Sequence, residues 1–232
     1  LFSLGVVTGR DKFVTDKNRS NLLSRIENFK TEIGTNEELD LKFGLKSSSW
    51  WSSAEAQKNL PSTSEFPKSI KTIAYRPFEN RFLFYHPAIV ESVRKPVMRN
   101  LDLDSNLMLL TTKMVKGEPW KHVFISNTLV EAIFLSSKTS CSTYAFPLFC
   151  YENSSQNLFK DEKRINFSEK FLKIFVNQYE KKFQEREIFC YIYGLLNTPS
   201  YRERFSEFLA RGFPKILLPS NLDLARKISN LG

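Results

Sequence analysis

The chain has 232 residues, 34 Lys+Arg against 25 Asp+Glu, and a formal net charge of +9. With 41% hydrophobic and 25% charged residues it has ordinary globular composition, which excludes a disordered chain, and no apolar run reaches the ~18 residues that a membrane span needs. Two histidines, three scattered cysteines and no glycine-rich phosphate loop argue against a self-contained enzyme, a disulfide framework or a zinc cluster.

The opening LFSLGVVTGRDK lacks Met and has no basic stretch before an apolar one. It reads as a piece of a longer polypeptide without a signal peptide, and the cysteine usage fits a reducing cytoplasm. Residues 17–33 form an amphipathic helix in this reading, with Leu22, Ile26, Phe29 and Ile33 on one face and Gly34 as the stop. From about 44 to 68 the chain is loop-like, rich in Ser and interrupted by Trp50-Trp51. An adjacent Trp pair either anchors a loop or stacks on a base, and anchoring is the commoner use.

Strands are predicted at Ile70–Tyr75, Arg81–Tyr85, Leu107–Thr112, His122–Ser126, Ala132–Leu135 and Thr143–Tyr151, with a short helix near Val90–Asn100. Residues 152–164 are polar and read as a surface excursion. The period then becomes helical: Ser168 to about Phe183, Glu187–Asn197, a capping box at Ser200 and Glu203 opening a helix to Gly212, and a last helix capped by Ser220. Phe213–Pro219 reads as a short extended piece. The fold class is α+β: an N-terminal helical linker, a central mixed but mostly antiparallel sheet, and C-terminal helices. We place a connector with one amphipathic helix at 1–60 and a main domain at 61–232.

Neither histidine suggests catalysis. His86 ends the aromatic run FLFYHP and His122 enters the strand VFIS, and neither has a Cys or second His at metal-ligand spacing, so both are expected to be structural. Asp102 and Asp104 read as a solvated face. Charge is concentrated instead: window 68–116 holds nine basic against four acidic residues, a net +5, interleaved with Tyr75, Phe78, Phe82, Phe84 and Tyr85. A basic, strand-rich platform attracts a phosphate backbone.

Several runs resemble the C-terminal specificity region of bacterial restriction-modification polypeptides of the type ISP group, with the related type IIG enzymes next. They are YRPFENRFLFYHP (75–87), RKPVM (94–98), LTTK (110–113), HVFIS (122–126), SKTS (137–140), FPLF (146–149) and IYGLLNTPSYRER (192–204). GVVTGRDKF (5–13) resembles the segment just after the methyltransferase core, and FPKILLP (213–219) the exit of a recognition domain. The resemblance covers nearly the whole chain. It implies a target-recognition domain for double-stranded DNA, without membrane contact and without catalytic residues or metal of its own. In such enzymes a nuclease, sometimes a helicase motor, and an N6-adenine methyltransferase lie on the same polypeptide. There they would use S-adenosylmethionine, Mg²⁺ and, with a motor, ATP.

For phosphate contact the candidates are Arg76, Arg81, Lys95, Arg99, Lys113 and Lys138, although Arg76 and Arg81 flank Glu79 and are also placed to pair with it. Lys95 and Arg99 are expected on the exposed side of their short helix. Base-reading candidates come from two loops, Lys46 and Trp50 in the first, Lys116 and Lys121 in the second. A second reading makes the chain a protein-interaction module that docks the methyltransferase onto the motor or nuclease. A third, an RNA-binding protein, is disfavoured by the lack of an RNP-type aromatic motif.

Overall fold

The structure is a computed structural model describing residues 1–101, 106–138, 141–152, 162–180 and 183–232. Its strands are β1 (Ser3–Leu4), β2 (Thr15–Asp16), β3 (Ile70–Arg76), β4 (Glu79–Phe84), β5 (Met108–Thr111), β6 (Val123–Ser126), β7 (Leu129–Val130), β8 (Tyr144–Pro147), β9 (Phe149–Glu152) and β10 (Glu162–Ile165). The helices are α1 (Asp11–Val14), α2 (Arg19–Thr31), α3 (Asn36–Phe43), α4 (Ser53–Asn59), α5 (Phe66–Ser69), α6 (Lys95–Met98), α7 (Glu169–Tyr179), α8 (Glu185–Asn197), α9 (Pro199–Arg204), α10 (Ser206–Leu209) and α11 (Leu222–Leu231). The class is α+β, as expected. No helix among the described residues is long and apolar enough to cross a membrane.

The chain forms two compact units that do not divide at residue 60. A hairpin unit comprises Val6–Arg94 with Thr128–Ala132, and a platform unit comprises Leu1–Gly5, Lys95–Asn127 and Ile133–Gly232.

In the hairpin unit the sheet order is β2-β4-β3-β7, with β3–β4 antiparallel and β3–β7 parallel. The segment 128–132 belongs here because β7 completes that sheet, and it replaces the strand predicted at Ala132–Leu135. Helix α2 starts where Asn18 accepts from the amides of Ser20 and Asn21, and it buries Leu22, Ile26 and Phe29. Its end differs from the reading. Glu32 turns extended, so Ile33 leaves the helical face and is 96% exposed. Helix α3 is set by a capping box between Thr35 and Glu38 and ends on Gly44 in the left-handed region, where a side chain would be strained. Part of the stretch read as loop is helical too: Ser52 caps α4 through the amide of Glu55, a cap hidden by the serine-rich composition. Phe13, Phe29 and Phe43 pack edge to face at ring distances of 5.0, 5.2 and 6.1 Å, and burial of the Phe13 and Phe29 side chains contributes about 1.5–3 kcal/mol each.

In the platform unit the sheet order is β1-β8-β5-β6, antiparallel throughout, beside the β9–β10 pair. The predicted strand Thr143–Tyr151 is two strands, because β8 pairs with β5 while β9 pairs with β10, and Leu148 between them donates to Leu107 O. Of the polar excursion, residues 153–161 lie outside the described residues, as do Asp102 and Asp104, whereas Glu162–Ile165 pair with β9. The predicted helix near Val90–Asn100 shrinks to α6 followed by a 3-10 turn, Arg99–Leu101.

Ser168 does cap α7. The Ser200–Glu203 box does not form, because Pro199 pre-sets the first turn and Thr198 stands at the N-cap; the helix then breaks at Phe205 rather than running to Gly212. Phe213–Pro219 takes no strand pairing, and Asn221, not Ser220, caps α11. Helices α8 and α11 meet at Gly194, where a Cβ would stand 2.4 Å from Ile228 O, so only glycine permits this approach. Around them Phe175, Tyr179 and Tyr191 build a buried aromatic core.

Candidate nucleic-acid interface

The register of the platform sheet decides where its loops emerge. Thr111 lies opposite both Val123 and Tyr144, so the loop between β5 and β6 and the loop entering β8 leave from one end of the sheet. Hydrogen bonds then brace the two loops together. Ser136 Oγ donates to Glu118 Oε1 at 2.7 Å, and the same carboxylate oxygen faces His122 Nε2 at 3.3 Å. The Cys141 thiol donates to Thr112 Oγ1 and to Met114 O at 3.4 and 3.2 Å. Gly117 turns the chain with a φ of 73°. Beside this frame lies an open cleft of about 680 Å³, lined by Glu118, Trp120, Lys121, Arg202, Glu203 and Ser206 among others. Arg202 is held there by Leu196 O at 2.8 Å, and burial lowers its pKa.

On this frame stand Lys113, Lys116, Lys121 and Lys138, all exposed, and none has an ion pair among the described residues. The structure therefore brings together four sequence-predicted lysines from two loops. Exposed ammonium groups on long stems, without an ion pair among the described residues, form a positive surface matched to a polyanion.

The brace contains a cluster the spacing did not reveal. Glu118, His122 and Cys141 place one ligand atom each within 4.8 Å of one another, although Cys141 is 19 residues beyond His122 in sequence. His122 is buried, and its pKa is lowered by burial, against the pull of Glu118. Its Nδ1 accepts from the amide of Lys121, so the neutral ring carries its proton on Nε2, facing Glu118. Each group makes a hydrogen bond that braces the loops. The i,i+4 spacing of Glu118 and His122 was the only sequence signal for it. His86 Nδ1 accepts from Ala88 N at 3.2 Å.

Two further candidates sit at α6. Lys95 is exposed, as expected. Arg99 corrects the reading: it is half-buried and donates to Tyr151 O at 3.0 Å, because the 3-10 turn after α6 rotates it toward β9.

The hairpin unit treats its cations differently. Arg76 pairs with the buried Glu131 at 2.7 Å rather than with Glu79, which instead takes Arg81 at 2.8 Å. That hydrogen bond from Arg81 holds the Glu79 carboxyl below the ordinary range. Both guanidinium groups also lie over the Tyr75 ring, 4.0 and 3.8 Å from its centroid. The Trp pair divides its labour. Trp51 Nε1 donates to Ala88 O at 2.7 Å under the Arg10 guanidinium, whereas Trp50 is 94% exposed. Lys46 in the same loop is exposed.

The whole chain, residues 1–232, matches the model of the Type ISP C-terminal specificity domain. Among solved structures, 99% of the chain matches 22% of the chain in a cryo-EM DrdV–DNA complex at 22% identity and a TM-score of 0.74. It matches 15% of the ATP-dependent Type ISP restriction-modification enzyme LlaBIII bound to DNA at 19% identity and a TM-score of 0.72. A nuclease-deletion mutant of the Type ISP enzyme LlaGI, in complex with a DNA substrate mimic, gives 18% identity over 21% of its length and a TM-score of 0.66. The chain thus spans about a fifth or less of those proteins. A search of the curated proteins gives no match. With a family model matched from end to end and the same fold in three larger proteins, the chain belongs to the Type ISP C-terminal specificity domain family.

Proposed function

We propose that this chain is the part of a restriction-modification polypeptide that grips double-stranded DNA and reads its target sequence. The observation that carries the reading is the braced pair of platform loops, which presents Lys113, Lys116, Lys121 and Lys138 at one end of one sheet, without ion-pair partners among the described residues. Family membership and the likeness to two proteins described in complex with DNA support the same partner. Lys95, Lys113 and Lys138 take phosphates and set the register, whereas Lys116 and Lys121, with Lys46 and Trp50 of the hairpin unit, approach base edges. Arg76, Arg81 and Arg99 hold the scaffold first.

The chemistry belongs to the rest of the polypeptide. An N6-adenine methyltransferase using S-adenosylmethionine, and a nuclease using Mg²⁺, act on the target this chain holds; a motor, where present, adds ATP. The polypeptide works in the bacterial cytoplasm in a type ISP arrangement, with the type IIG arrangement as its near relative. Methylating a stacked adenine requires extruding it, and a separate reader keeps the duplex in register while that happens.

The test is binding of the 232-residue chain to duplexes selected from a randomised pool, against scrambled duplexes and single-stranded RNA. The proposal expects enrichment of a defined sequence and a preference for duplex DNA. A chain that binds no duplex but binds a separate methyltransferase domain is a docking module instead.

A further inference from the structure

We infer that Phe78 is an apolar wedge that enters a base step of the bound duplex; this rests on the DNA-reading function proposed above. Strands β3 and β4 pair Arg76 with Glu79, which leaves Pro77 and Phe78 as a two-residue turn. Pro77 suits the first position of such a turn. The second has φ of 63° at Phe78, in the left-handed region that glycine or asparagine enters freely and that crowds the Cβ of any larger residue. The side chain at this strained position is also 100% exposed. A large aromatic ring is thus held where the backbone disfavours it and where it contributes nothing to the core. Strain of this kind collects at sites of function.

The surroundings choose the partner. The turn is bracketed by Arg76 and Arg81, whose positions are fixed by Glu131, Glu79 and the Tyr75 ring. The Lys17 ammonium lies 3.7 Å from Glu79 and is largely exposed. Asn80, next along β4, is exposed as well. A rigid hairpin with an aromatic tip, cations at its base and an amide beside it has the parts that unstack a base step: ring against base face, positive charge toward phosphates. A protein-docking hot spot needs a rim that seals out water, and a ring that is 100% exposed is not set within such a rim.

The experiment uses the 232-residue chain, unaltered and as Phe78→Gly, Phe78→Leu and Phe78→Asn, with a selected duplex carrying 2-aminopurine at successive positions. The unaltered chain should raise fluorescence several-fold at one step only. Phe78→Gly and Phe78→Asn should abolish that rise and weaken binding about tenfold, the worth of one lost stacking contact. Both variants should melt no lower than the unaltered chain, because they relieve the turn, and Phe78→Leu should keep part of the signal. Tight duplex binding without a fluorescent step, or a step that survives Phe78→Gly, overturns the wedge and leaves the DNA-reading function standing. Failure to bind any duplex overturns both.

Discussion

The β3–β4 hairpin and the platform loops place their positive charge in opposite ways. In the hairpin unit Arg76 and Arg81 each meet a carboxylate and share the face of Tyr75. In the platform unit Lys113, Lys116, Lys121 and Lys138 stand exposed on loops, without ion pairs among the described residues, while the polar groups around them are bound to one another. Residue type follows the division. The planar guanidinium suits stacking and bidentate pairing inside a fold, and the flexible ammonium suits a charge left for solvent or a partner. A cation's partners, rather than its sign, tell whether it holds the protein or is held ready for something else.

Breaking the held cations should cost stability first. Arg76→Ala removes the guanidinium facing Glu131, whose side chain is only 6% exposed, and should lower unfolding free energy by about 3 kcal/mol in a denaturant titration. An unchanged midpoint would show that this pair is surface decoration. Arg99→Ala should cost about 1 kcal/mol through the lost bond to Tyr151 O, whereas Lys95→Ala should stay within about 0.5 kcal/mol. Equal effects at the two positions would erase the distinction drawn at α6.

The brace adds a pH dependence. Burial lowers the folded pKa of His122 below its unfolded value near 6.5, so the unfolded chain binds the extra proton first. Its contribution is full above about pH 6.5 and is lost as pH falls through the lowered folded pKa. His86 is shifted in the same direction by burial. Melting temperatures between pH 7.5 and 5 should therefore decline, and His122→Gln should flatten the slope. A steeper decline in that variant would reverse the sign of the argument.

Much of the fold was legible where local signals act alone. Leu22, Ile26 and Phe29 mark α2, Ser168 caps α7, and the strands β3 to β6 follow β-branched and aromatic runs to within three residues. The errors came where a partner distant in sequence decides. Leu129–Val130 form a strand only because β3 lies beside them, and Thr143–Tyr151 splits because its halves pair with different neighbours. At the site, residue type offered ten charged or aromatic candidates, and sequence proximity offered only Glu79 as a partner for Arg76 and Arg81. Separating Arg76 from Lys113 required knowing that Glu131 faces one of them, 55 residues along the chain.

The salt dependence of duplex binding tests the central claim most directly. With about six phosphates neutralised, log K should fall with log[salt] with a slope of about −5. Changing Lys113, Lys116, Lys121 and Lys138 together to Ala should flatten that slope by roughly two units on target and scrambled duplexes alike, through the phosphate contacts of Lys113 and Lys138, and should weaken the target duplex further through Lys116 and Lys121, without lowering the melting temperature. A slope left unchanged by the four substitutions, in a variant that still binds, would contradict the assignment of the DNA grip to these loops.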